Sequence, residues 1–242
     1  MSNNIKANGL NHLAISTSSM KEQIEFYTDV LGMRLVALYW MHGVEGCWHG
    51  FLELNDNSQI AFVFNPANKD AKVEYGVTQP GNSREASAPG TMQHLALNVD
   101  SLKDLMNMRD RIRSRGVNVL GPLDHGFCHS IYFQGPEDIC LEIATMGDVD
   151  YPLDPKDWID PEVQALAGIS DEELATYTKP AEYVGEGGTL KQPDYDPKSY
   201  HPVMPVEMLK MVYAMTDEQI AMAVPEKRPP SMISNEEHAA QQ

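Results

Sequence analysis

Basic residues are scarce in this chain. Lys and Arg total 18 against 35 Asp and Glu, a formal charge of −17. Such a field repels phosphate backbones and anionic lipid surfaces, and no basic patch offsets it, so nucleic acid and membrane are excluded as expected partners. No apolar run approaches the about 18 residues that a membrane span needs. The opening stretch MSNNIKANGL lacks the apolar core of a signal peptide, so a cytoplasmic location is expected. Cysteine is also sparse. Cys47, Cys128 and Cys140 form an odd set without C-x-x-C spacing, which argues against a disulfide framework and a structural zinc site. They read as small buried thiols. What remains is a chain of 242 residues with 42% hydrophobic content, enough for a true core in one large or two small domains.

An internal repeat organises the first 146 residues. Asn11-His12-Leu13-Ala14-Ile15 overlays Gln93-His94-Leu95-Ala96-Leu97, 82 positions on, and Ser19-Met20-Lys21 falls on Ser101-Leu102-Lys103 at the same offset. Each serine opens a helix signal, with Glu22 or Asp104 three residues later at capping-box spacing. Ile24, Tyr27 and Leu31, and then Leu102, Leu105, Met106 and Ile112, recur at helical spacing. Gly32 and Gly116 stand where a left-handed cap ends a helix. Strands are expected over 33–40, 48–54 and 59–64, and again over 118–120, 127–133 and 139–144. Turns at Asn55-Asp56-Asn57-Ser58 and Gly135-Pro136-Glu137-Asp138 precede the last strand of each half.

The expected fold is therefore α+β: two βαβββ modules paired around a metal-binding cleft, over residues 1–146. Residues 65–90 read as a long loop, a length often tied to function. Residues 147–242 read as a Pro-rich C-terminal extension with short helices, signalled by Pro161, by Ser170 with Glu173, by Pro205, and by Thr216 with Gln219. None is long enough for an independent core. The extension is expected to wrap the module or a dimer partner, with a mobile end after Pro225.

The repeat also selects candidate metal ligands. His12 and His94 begin equivalent strands, and Glu142 interrupts the apolar run Ile139-Cys140-Leu141-Glu142-Ile143. A carboxylate in such a run needs a partner, and a cation is sufficient. Taken singly, each is an ordinary strand residue; at repeat-related positions they form a pattern. Two imidazoles and one carboxylate suit Fe(II), Mn(II), Zn(II), Ni(II) or Co(II), and leave coordination positions open for a ligand.

The stretches Leu10 to Val36 and Met92 to Thr145 resemble the vicinal oxygen chelate superfamily, which includes glyoxalase I, extradiol dioxygenases, fosfomycin-modifying enzymes and bleomycin-binding proteins. The resemblance covers about the first 145 residues and implies a divalent metal held by His12, His94 and Glu142. A fourth ligand of the family would fall on Ala61, which cannot bind a metal. Gln59, two residues away on the same face, is the substitute at hand. This departure counts against glyoxalase I activity and implies a three-ligand enzyme. Ser130-Ile131-Tyr132 ahead of a proline turn is similar to extradiol dioxygenases, which implies that Tyr132 and either His125 or His129 contact a catecholate.

The implied function is an Fe(II)-dependent ring-cleaving dioxygenase acting on a small molecule, an aromatic diol. The family's acid–base histidine has no counterpart in residues 65–93, which leaves His42 and His49 in the first half, and the chain has a single module pair. A non-redox isomerase, lyase or transferase therefore stays open, as does a metal-free binding protein. The resemblance and the extension also imply a homodimer.

Overall fold

The computed structural model describes residues 5–223 and 227–234. They fall into two compact units: residues 9–39 with 47–179, and residues 1–8 and 40–46 with 180–242. The first unit runs past the repeat to Lys179. Of the mobile end expected after Pro225, residues 226 and 235–242 lie outside the described residues. No helix among the described residues is long and apolar enough to cross a membrane. All three cysteines are free and buried.

The first unit holds two mixed four-stranded sheets. In the first half, β1 (His12–Thr17) leads into α1 (Met20–Glu25), and then come β2 (Arg34–Trp40), β3 (Trp48–Asn55) and β4 (Ser58–Phe64). In the second half, β5 (Leu95–Asn98) leads into α2 (Leu102–Ser114), followed by β6 (Leu120–Asp124), β7 (His129–Gln134) and β8 (Cys140–Thr145). The strand orders are β1-β4-β3-β2 and β5-β8-β7-β6, the same in both halves. β1 pairs in parallel with β4 and sets Ala14 opposite Ala61. β5 pairs in parallel with β8 and sets Ala96 opposite Glu142. The expected fold class, α+β with two βαβββ modules, is the observed one.

Local departures have local causes. α1 does not end as an α-helix; it widens into a π-helical turn, Phe26–Val30, before Gly32 reverses the chain at φ 79°. The Ser19 side chain makes no capping bond. Ser101, in contrast, accepts from the Asp104 N–H as expected. β6 begins only at Leu120 and is an edge strand, which is why it tolerates Pro122, a residue with no N–H for the ladder.

The core is one contiguous cluster. Leu52, Ile60 and Phe62 meet Tyr27 and Val30, and Ile131, Leu141 and Ile143 meet Leu105 and Ile112. Burying each such side chain contributes roughly 1.5–3 kcal/mol. The two modules join on their helical side. Phe26 stacks on Phe133 at 6.5 Å, and the Arg111 guanidinium donates to the backbone oxygens of Val30 and Asp29, each at 2.9 Å. The opposite sheet faces are left open: His12, Ala14 and Ser16 on β1, and Ala96 and Asn98 on β5, are exposed.

In the extension, α3 (Pro155–Trp158), α4 (Pro161–Leu166) and α5 (Asp171–Thr178) follow β8 within the first unit. α6 (Val206–Tyr213) and α7 (Asp217–Met222) belong to the second, where Leu209 is buried. The capping boxes expected at Ser170 with Glu173 and at Thr216 with Gln219 are both formed.

Candidate metal and ligand site

The open face of the second sheet carries a connected set of polar side chains. His94 stands just before β5, and its Nε2 lies 2.8 Å from Oε2 of Glu142. Successive strand residues point to opposite faces. His94 and Ala96 therefore share a face, and Ala96 is paired with Glu142. On its other side, the His94 Nδ1 meets the side-chain oxygen of Gln93. Such a contact fixes the orientation of a ligating ring. Glu142 is only 5% exposed.

Tyr132 sits directly across from Glu142 in the β7–β8 ladder. Burial, the Glu142 charge and a hydrogen bond to Glu142 together push the tyrosine pKa up to about 12. The phenol therefore stays neutral and able to donate. Its oxygen is 3.2 Å from Nε2 of His125, which the β6–β7 turn presents. His125, Tyr132, Glu142 and His94 thus form a continuous chain of contacts.

Two other expected residues stand apart from it. His129 is three residues before Tyr132 on β7, so alternation turns it to the other face. Its ring approaches the Asp148 backbone oxygen at 3.4 Å and Asp124 at 3.9 Å. His12 lies on the open face of the first sheet, with Nδ1 2.8 Å from the Asn11 side-chain oxygen. Among the described residues, no three His, Cys, Asp or Glu side chains gather as a metal-holding group. His94 and Glu142 converge; His12 is not gathered with them.

Register explains how the two faces differ. Phe51 pairs with Ala61 as Tyr132 pairs with Glu142. The first sheet therefore has Phe and Ala where the second has Tyr and Glu. Around Phe51 is a rank of rings: His12 at 5.6 Å, His49 at 4.9 Å and Tyr39 at 6.2 Å. Phe51 stands 81 positions before Tyr132, as Ala61 does before Glu142. Gln59 pairs with His12.

The donor chemistry of the pair fits a divalent metal. An imidazole and a nearly buried carboxylate on one face suit Fe(II), Mn(II), Zn(II), Ni(II) or Co(II). A carboxylate this buried also calls for a cationic partner. Of the three expected donors, His94 and Glu142 lie side by side and His12 does not join them.

Over 132 residues, the chain is 26% identical to biphenyl-2,3-diol 1,2-dioxygenase 2 of Rhodococcus globerulus, covering 54% of this chain and 60% of that protein. It is 24% identical over 136 residues to biphenyl-2,3-diol 1,2-dioxygenase 3 of the same organism, covering 55% and 61%. The chain thus spans about three-fifths of the length of these relatives. Among solved structures, a glyoxylase/bleomycin resistance protein/dioxygenase domain from Frankia sp. EAN1pec is similar at 14% identity and TM-score 0.45, covering 58% of this chain and 98% of that one. The family model matches residues 9–143, and the chain belongs to the Glyoxalase/Bleomycin resistance protein/Dioxygenase superfamily.

Proposed function

We propose that the chain is a metal-dependent enzyme that opens the ring of a catecholic small molecule in the extradiol manner. The observation that carries this reading is the contact chain His94–Glu142–Tyr132–His125 on one open sheet face. Two relatives are named as dioxygenases of an aromatic diol, and the Phe51 ring lies edge-to-face beside His12 and His49.

In this reading, His94, Glu142 and His12 hold the metal. A bound divalent ion supplies Lewis acidity that favours the ionised diol and, as Fe(II), redox access to O2. Neutral Tyr132 donates a hydrogen bond to a diol oxygen. His125, 3.2 Å from that phenol, is placed to take up and return the proton.

The exposed faces supply a reason for a homodimer. His12 is exposed on one sheet, His94 is half-buried beside the buried Glu142 on the other, and among the described residues the three are not gathered within one chain. A second copy that sets its His12-bearing face against the His94–Glu142 pair completes the ligand set.

The test is metal content on protein purified without oxygen, with His94→Ala as control, followed by O2 uptake over a catechol panel. Iron near one per chain, lost in the control, together with O2 consumption, supports ring cleavage. Zinc, manganese or nickel with turnover independent of O2 selects a non-redox isomerase, lyase or transferase. Absence of metal from both samples would leave a small-molecule binding protein.

A further inference from the structure

His125 is an exposed imidazole in the turn that joins β6 to β7. The backbone of that turn is tied twice. The His125 N–H donates to the Cys128 oxygen at 2.9 Å, and the Gly126 N–H donates to Oδ1 of Asp124 at 2.8 Å. The ring reaches the Tyr132 phenol at 3.2 Å. One exposed hydrogen bond does little to order a side chain, because its net gain is comparable to the rotamer freedom lost. Whatever holds the turn therefore decides where the imidazole points.

The outer side of the turn is closed by the C-terminal extension. A Cβ on Gly126 would come within 2.9 Å of Cη2 of Trp158, so the indole lies on the bare glycine. Gly126 also takes φ 83°, a conformation that glycine adopts without steric cost. Trp158 meets Phe127 edge to face at 5.3 Å. It thus touches both residues that follow His125.

Trp158 is itself fixed. α3 is a short capped turn: the Asp154 side chain accepts from the Lys156 N–H at 2.9 Å, and Pro155 takes the first helical position, where no N–H is needed. The indole N–H donates to the Pro152 oxygen at 3.2 Å. Yet Trp158 is 39% exposed and lies outside the core cluster, so it adds little to the packing of the sheets. The stretch that matches the family stops at residue 143, and this support comes from beyond it.

We infer that Trp158 is a positioning residue: through its indole, the extension holds the turn that aims His125 at the Tyr132 phenol. The inference rests on the proposed role of His125, but its spectroscopic test needs neither metal nor turnover.

The full chain is isotopically labelled at its histidine nitrogens, chelated and held at one pH for nuclear magnetic resonance. His125→Asn assigns the His125 signal by its loss. Tyr132→Phe marks where the Nε2 resonance moves when the phenol is gone. Trp158→Ala is expected to move it most of the way to that position. Trp158→Phe keeps a ring against Gly126 and Phe127 and is expected to stay near wild type. Asp154→Ala loosens α3 but leaves the indole; it is expected to give a smaller shift in the same direction, and it serves if Trp158→Ala does not fold. Backbone amides of β1 and β4 should not change. A small misplacement caused away from the chemistry can cost on the order of a hundredfold in rate. In a catechol assay, Trp158→Ala should accordingly lower kcat at least about tenfold with KM held, and Trp158→Phe should restore it. A His125 resonance unmoved in both Trp158→Ala and Asp154→Ala, or a shift shared by β1 and β4, overturns the inference. A wild-type chain that opens no ring refutes the proposed reaction alone, and the resonance still decides what places His125.

Discussion

Replacing Glu137 probes the junction between the two modules. Its carboxylate accepts from the Ser18 N–H at 2.7 Å, from the Ser18 hydroxyl at 2.6 Å and from Gln23 Nε2 at 2.8 Å. All three donors belong to the other module. Hydrogen bonds to a charged group contribute roughly 1.5–3 kcal/mol each, but they are not additive, and this side chain is only partly buried, so solvent screening lowers the sum. Glu137→Ala is expected to cost about 2–4 kcal/mol. Glu137→Gln should cost about half as much, because its oxygen keeps the Ser18 pair. Its new amide faces Gln23, whose Oε1 is buried without a hydrogen-bond partner and becomes an acceptor if that amide turns over. The pH dependence sharpens the test. Burial opposes ionisation, yet the bonds from Ser18, Thr17 and Gln23 outweigh it and hold the carboxyl below its ordinary range. A lowered folded pKa means that the contribution is complete above the unfolded value, about 4.3, and is lost as pH falls through the folded value. Urea unfolding of the three proteins at pH 7 and through pH 5 to 3 measures both effects. A loss under 0.5 kcal/mol in Glu137→Ala, or a gap between wild type and Glu137→Gln that stays constant down to pH 3, would refute the reasoning.

Glu142→Gln should reduce metal retention at least tenfold in equilibrium dialysis, because the nearly buried donor beside His94 loses its charge. Tyr132→Phe should remove a phenol that ionises near pH 12 in the metal-free chain; ultraviolet difference titration should show the loss there and none near pH 10. In the same metal-free chain, the Tyr132 contribution to stability is present below pH 10 and falls as pH rises toward 12, since its folded pKa is raised. Gly147→Ala should destabilise by about 1–3 kcal/mol by overpacking, because a Cβ there runs into the Asp100 backbone oxygen; thermal unfolding checks it.

Much of the fold was legible because it is local or repeated. The 82-position offset between His12 and His94 reappears as matching parallel registers, Ala14 to Ala61 and Ala96 to Glu142. Gly32 and Gly116 take the positive φ expected of helix stops. The Ser170 and Thr216 boxes form because each needs only residues three apart. The cap expected at Ser19 does not form, and a remote group serves that helix end instead: Glu137, 119 residues away, binds Ser18. In the sequence, Glu137 was only part of a proline turn.

The site divides the same way. Sequence by itself determined the two modules and the placing of Ala61 at the position that Glu142 holds in the other half, because strand alternation and the repeat offset are properties of the chain; the pairing of Tyr132 with Glu142 and of Phe51 with Ala61 came from the register of the sheets. Tertiary structure brought His125 rather than His129 to Tyr132, since one turn aims the first at its phenol while alternation points the second away. It also decided that His12 stands apart from His94 and Glu142. A repeat fixes where a residue sits within its module, but only packing fixes how modules meet, and here Phe26, Arg111 and Glu137 join them by their helical sides.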